Sequence, residues 1–183
     1  MKKDYVWALA LVMVLIALDQ VTKIIVEGAI PFQGAATSKH PIISGFLYLT
    51  HHRNDGAAWG VFSGQQVFFV VITVFALGVF VYLATDLSFR HRFFYSTGLT
   101  LLTGGALGNF VDRVQQGYVV DFIDVYIFTY NFPVFNVADI ALTIGMFSFA
   151  YHMLFLDGKA EKERLRMSRV AEVVDEENHD RDN

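Results

Sequence analysis

The sequence predicts a membrane all-α protein with a small β element: four transmembrane helices and a short sheet held on one side of the bilayer. Three observations lead there. The 183 residues are 54% hydrophobic and only 17% charged, more apolar than a soluble domain of this size. Four long apolar stretches alternate with short polar ones. Lysine and arginine crowd the flanks on one side of that pattern.

The apolar stretches are residues 5–26, 67–84, 93–111 and 134–156, each close to the roughly 20 helical residues that cross about 30 Å of hydrocarbon. The first follows Met1-Lys2-Lys3 like a secretory signal, but no small-x-small cleavage pattern comes after Leu18, so a retained helix is expected. The second is opened by Ser63-Gly64-Gln65-Gln66, which fits a capping box between Ser63 and Gln66. The third carries Gly104 and Gly108 with Thr100 one turn earlier, small residues that let helix backbones approach closely.

Basic residues set the orientation. Lys2, Lys3, Arg90, Arg92 and the cluster from Lys159 to Arg169 fall on one side, against Lys39, Arg53 and Arg113 on the other. Both termini are therefore expected in the cytoplasm, with residues 28–62 and 113–133 outside. These outer segments are too apolar for plain loops. The run from Phe46 ends in Asn54-Asp55-Gly56, a turn signal, so a small sheet lying against the membrane is expected. Residues 1–158 read as one integral-membrane unit and 159–183 as a polar cytoplasmic tail, partly disordered. No repeat or linker divides the chain.

The absence of cysteine excludes disulfides, thiolate catalysis and cysteine-ligated metals. The net charge of -4 comes largely from the tail, and no continuous basic face suits nucleic acid. The serines sit in no nucleophile motif and no HExxH occurs; adjacent His51 and His52 read as surface residues rather than metal ligands.

Ionisable residues in spans usually face a cavity, a partner or a site, and here they share one depth. Asp19 and Lys23 lie toward the outer end of the first span, Asn109 and Asp112 close the third, and Asn136 and Asp139 open the fourth. Asp139 is roughly 8 Å along the helix from Val134, within reach of the outer interface. Asp19 and Lys23 are i,i+4 and can pair, as can Asn109 with Asp112 or Arg113, and Asn136 with Asp139. Asp139 has no cation within one turn, so it must find hydrogen bonds or take up a proton. Two aspartates sharing a proton can activate water and protonate a leaving amine. Spacing alone leaves Asp112, Asp121 and Asp124 open as the partner of Asp139; Arg113 beside Asp112 suggests a structural or substrate-orienting pair, and Asp124 reads as an outer-surface residue. A transporter with buried acids as ion ligands is the competing class, but no polar path continues through the middle of the second or third span. A noncatalytic chaperone is a third.

Five blocks carry a family resemblance: Asp19-Gln20-Val21-Thr22-Lys23, Asn54-Asp55-Gly56-Ala57-Ala58, residues 104–113 (GGALGNFVDR), Val119-Val120-Asp121-Phe122 and Phe135-Asn136-Val137-Ala138-Asp139. In order and spacing they resemble the lipoprotein signal peptidase (signal peptidase II, peptidase A8) family across residues 5–156; Trp59-Gly60 stands where that family has a Phe-Ser pair. The resemblance implies four helices with a periplasmic β-cradle in the bacterial inner membrane. It implies an aspartic endopeptidase that cleaves diacylglyceryl-modified prolipoproteins before the lipidated cysteine, with no metal or organic cofactor. It places the catalytic pair on Asp121 and Asp139, with Asp19, Lys23, Asn54, Gly56, Asn109, Asp112, Arg113 and Asn136 supporting the site or substrate. Prolipoproteins and membrane lipids are the implied partners, and globomycin-type cyclic peptides the implied inhibitors.

The orientation is directly testable on a chain without native cysteine. Lys39→Cys and Tyr118→Cys should react with an impermeant thiol reagent from the periplasmic side, whereas a cysteine in the tail should be protected. The reverse pattern would invert the topology.

Overall fold

A computed structural model of the chain describes residues 2–34, 38–56, 62 and 64–158. Four long helices, α1 (Lys2–Ala29), α2 (Gln66–Leu83), α3 (Phe93–Gln116) and α4 (Val137–Tyr151), form a bundle. A four-stranded antiparallel sheet stands against one end of it, with β1 (His40–Ile43), β2 (Leu47–Asn54), β3 (Val119–Ile127) and β4 (Tyr130–Asn131) in sequence order.

Among the described residues, three helical segments, Lys3–Ala29, Gln66–Asp86 and Val137–Leu156, are long and apolar enough to cross a membrane. α3 has the length, 24 residues, but not the apolarity, and its position explains why. It packs against all three other helices and buries Ser96, Thr100, Gly104, Gly105, Gly108, Asn109 and Asp112, so it needs little lipid-compatible surface. α2 is the opposite case. It has no charged residue and no buried residue, and it packs chiefly on α3, leaving most of its surface to lipid.

Lipid tails give little hydrophobic drive between helices, so close approach must supply the packing. On α1 the buried residues Ala8, Val12, Asp19, Lys23 and Val26 recur at helical spacing, and this stripe meets α3 at its glycines. A Cβ on Gly104 would sit 2.8 Å from Leu15 Cδ1. The α3–α4 contact is tighter, with Gly98 and Gly145 set backbone against backbone; a Cβ on Gly98 would stand 2.6 Å from the Phe149 amide nitrogen.

Gly117, at φ +77°, ends α3 in the left-handed conformation and donates its N–H to the Arg113 carbonyl at 3.2 Å, a cap that glycine adopts without strain. The chain turns there directly into β3, whose first four residues are buried. Val26 and Ile30 pack on Phe122, with Leu49, Ile123 and Val137 around them, fastening the sheet to the end of α1.

The expected small sheet is present, but its central pairing joins distant segments: β2 pairs with β3. The turn at Asn54 is real, closed by the Gly56 amide donating to Asn54 Oδ1 at 3.0 Å. The capping box at α2 is not as expected. Ser63 lies outside the described residues, the N-cap is Gln65 without a side-chain bond, and the Gln66 carboxamide instead donates to the Asp55 carbonyl at 2.6 Å. Residues 159–183, expected as a polar tail, also lie outside the described residues.

Gly98→Ala should lower the thermal midpoint in detergent by the equivalent of about 1–3 kcal/mol through overpacking. Gly78→Ala in α2, where nothing lies within 4 Å, should be neutral or mildly stabilising. Equal midpoints for the two variants would refute the tight α3–α4 contact.

Candidate active site

The polar layer is organised around Lys23, which is 2% exposed. An ammonium has three N–H donors and no acceptor, and here each has a partner. Nζ lies 2.8 Å from Asp19 Oδ2, 2.8 Å from Asp112 Oδ2 and 3.1 Å from Asn109 Oδ1. The remaining lone pairs are used as well. Asp19 Oδ1 accepts from the Ala138 amide at 2.9 Å, Asp112 Oδ1 from Gln20 Nε2 at 2.8 Å, and Asp112 Oδ2 from the Val120 amide at 3.1 Å. One cluster thereby ties α1, α3, β3 and α4 together. Gly108 makes room for it, since a Cβ there would stand 2.8 Å from Asp19 Oδ2.

The next layer is amide. Asn136 is the N-cap of α4 and forms a capping box with Asp139: Asn136 Oδ1 accepts from the Asp139 amide, and Asp139 Oδ2 from the Asn136 amide. The pair read from sequence as helix neighbours is thus the device that starts α4. Asn136 Nδ2 donates to Asp121 Oδ1 at 2.7 Å, and also to Asn109 Oδ1 at 3.0 Å. Asn109 Nδ2 donates to Asp139 Oδ1 at 2.8 Å, and Asn54 Nδ2 to Asp121 Oδ2 at 2.8 Å. Asp121, from β3, is 1% exposed, and Asp139 is half-buried. Burial, and then the charge of Asp139, push the Asp121 carboxyl up to about 7, against the Asn54 and Asn136 amides and Lys23, which lower it.

Asp121 and Asp139 both line one cavity of about 750 Å³. Its polar end carries Asn54, Gly56, Asn109 and Arg113, while Ile72, Ala76, Phe80 and Leu142 line the part between α2 and α4. Arg113 stacks its guanidinium 4.9 Å from the Phe69 ring centroid. Its Nη1 donates weakly to the Asn109 carbonyl at 3.4 Å, and Nε has no partner among the described residues.

Three expectations are corrected. Arg113 does not pair with Asp112: adjacent helix residues point about 100° apart, so Asp112 turns to Lys23 while Arg113 turns to the cavity. Asp124 is not at the surface; it is fully buried in β3 and paired with Lys39 at 2.7 Å. His51 is buried too, its Nδ1 2.9 Å from the Ile30 carbonyl, because the β2–β3 register shifts between Leu49 and His52 and turns Thr50 and His51 both inward. Gln20, which holds Asp112, was not singled out by the sequence reading. Its place beside Asp19 in the first block was the available signal. Trp59 and Gly60 lie outside the described residues.

A bundle of membrane helices with a small sheet at one end, and two carboxyls opening on an apolar cavity, has the parts that a membrane aspartic peptidase needs. The comparisons agree. The sequence model of the signal peptidase (SPase) II family, peptidase A8, matches residues 11–155. The lipoprotein signal peptidase of Staphylococcus carnosus is 41% identical over 163 residues, covering 88% of this chain and 99% of that protein. That of Halalkalibacterium halodurans is 41% identical over 153 residues, covering 83% and 94%. A bacterial membrane enzyme solved by the in meso method superposes with a TM-score of 0.71 at 41% identity, covering 80% of this chain and 87% of that one. The chain belongs to the signal peptidase II family.

Removing the Lys23 cation would leave two buried aspartates without a counter-charge, a loss typically worth about 3–5 kcal/mol. Lys23→Met should therefore unfold at markedly lower temperature than the parent protein in detergent. An unchanged midpoint would show that the cluster does not hold the bundle together.

Proposed function

We propose that this signal peptidase cleaves prolipoproteins immediately before the diacylglyceryl-modified cysteine, with Asp121 and Asp139 as its catalytic pair. The observation that supports this reading is a difference among the buried acids. Asp19 and Asp112 share the Lys23 ammonium, and Asp124 is paired with Lys39. Asp121 and Asp139 receive only amide donors among the described residues and open on the cavity.

In the proposed cycle Asp121 holds the shared proton and Asp139 is ionised. Asp139 takes a proton from water while Asp121 polarises the scissile carbonyl, and water adds to form a tetrahedral intermediate. Collapse then delivers a proton to the leaving α-amine of the lipidated cysteine. The amides keep both carboxyls aimed at the same space. Arg113, stacked and without a carboxylate partner among the described residues, orients carbonyl or phosphate-like oxygens of the bound chain.

The cleft between α2 and α4 is the natural berth for the diacylglyceryl chains, since α2 offers lipid an apolar face. Globomycin-type peptides would occupy the same cavity. Bilayer lipids complete its wall. The site faces the periplasm across the bacterial inner membrane, with both termini cytoplasmic and the membrane domain ending near Gly158.

Asp121→Asn and Asp139→Asn should each reduce signal-peptide release from lipidated prolipoprotein by about 10²–10⁴-fold while the proteins fold and bind substrate. Near-normal turnover by either folded variant would remove that residue from the pair. In the parent protein turnover should fall as pH rises through about 7, the region where Asp121 gives up its proton. Below that value the shared proton is retained. A rate flat from pH 6 to 9 would contradict Asp121 as the acid.

A further inference from the structure

Lys23 has no contact with either carboxyl of the pair, yet two short amide chains lead from it to both. Nζ donates to Asn109 Oδ1 at 3.1 Å, and Asn109 Nδ2 donates to Asp139 Oδ1 at 2.8 Å. The same Asn109 Oδ1 accepts from Asn136 Nδ2 at 3.0 Å, and that Nδ2 also donates to Asp121 Oδ1 at 2.7 Å. The direction at Asn109 follows from one fact: an ammonium only donates. Lys23 obliges Asn109 to present its oxygen inward, which obliges its NH₂ to face Asp139; the Asn136 NH₂ is already aimed by the cap on the Asp139 amide, and Asn109 Oδ1 gives it a second acceptor beside Asp121.

We propose that Lys23 is a positioning residue for the reaction, which fixes the flip of Asn109 and so the amide that faces Asp139, and sets, through its charge, the pH range in which the carboxyl pair holds a single proton. This rests on the assignment of Asp121 and Asp139 as the catalytic pair. The cluster behind the amides is not neutral, because Asp19 and Asp112 carry two negative charges against one positive. Lys23 therefore favours ionisation of the pair, and Asp112 opposes it. On α3 the charged group that faces the cavity is Arg113. α2 has none. In β2, His52 stands opposite Asp121 in register but is exposed.

Opposite charges behind one relay give opposite predictions. The test is the pH–rate profile for cleavage of a purified lipidated prolipoprotein by detergent-solubilised, full-length enzyme, with folding checked by thermal melting. Lys23→Gln should move the alkaline limb upward by about one pH unit, the order expected for one charge acting at an effective dielectric near 20. Asp112→Asn should move it downward by a similar amount. Lys23→Arg, which keeps the charge, should leave the limb near its parent position even if kcat falls. A merely structural role would lower the rate without displacing the limb.

Unmoved limbs in folded Lys23→Gln and Asp112→Asn, or shifts of the same sign in those two, would overturn the proposal. If Lys23→Gln does not fold, Asp112→Asn decides alone: a downward shift supports the role and a fixed limb refutes it. Asp121→Asn and Asp139→Asn run alongside separate the two readings. Their inactivity together with an unshifted limb would defeat only the role of Lys23, whereas their activity would defeat the catalytic pair itself.

Discussion

A buried ion cluster must be almost completely satisfied or it destabilises the fold that contains it, and the arrangement around Lys23 follows from that constraint. One ammonium with three donors faces two carboxylates and an amide oxygen. The leftover acceptors are filled by the amides of Val120 and Ala138 and by Gln20. Because those groups come from β3, α4 and α1, satisfying the cluster also fixes where β3 and α4 begin relative to the bundle. Those are the two elements that carry Asp121 and Asp139. Stability and site geometry are in this sense one problem with one solution.

The rest of the bundle is built to let that cluster form. Small residues on α3 bring its backbone close to α1 and α4, and at Gly108 the missing side chain is the space taken by the Asp19 carboxylate. The polar side of α3 is tolerable in a membrane protein because three helices cover it. α2 is the exception in composition and in packing, apolar throughout and attached mainly to α3. A helix held on one side only leaves a cleft toward α4, and the cavity occupies it.

Much of this was legible in the sequence, and the parts that were not have physical reasons. The helices were legible because apolar runs near 20 residues have few other uses, and the shared depth of Asp19, Asn109, Asp112 and Asp139 marked the site layer. The α3 helix exposed the limit of that signal, since apolarity measures contact with lipid and α3 has little. The sheet was anticipated, but its pairing was not, because joining 47–54 to 119–127 depends on where two helices end. Asp124 and His51 were misplaced for a similar reason: alternation along a strand predicts faces only when the register is regular and one face is wet. Arg113 was separated from Asp112 by helix geometry that the sequence already contained, where adjacency had suggested a pair. The choice of Asp121 over Asp112 and Asp124 came from the family resemblance, and the unequal neutralisation of the buried acids supplies a physical reason for it.

Asp121 and Asp139 are proposed to work as one unit that shares a proton, and residues that act as a unit are not additive when removed. The most direct measurement is single-turnover cleavage of a lipidated prolipoprotein by the Asp121→Asn/Asp139→Asn double variant beside the two single variants. One shared function predicts that the double variant is no slower than the slower single. Losses that multiply would mean that the two carboxyls contribute independently, and would contradict the pair.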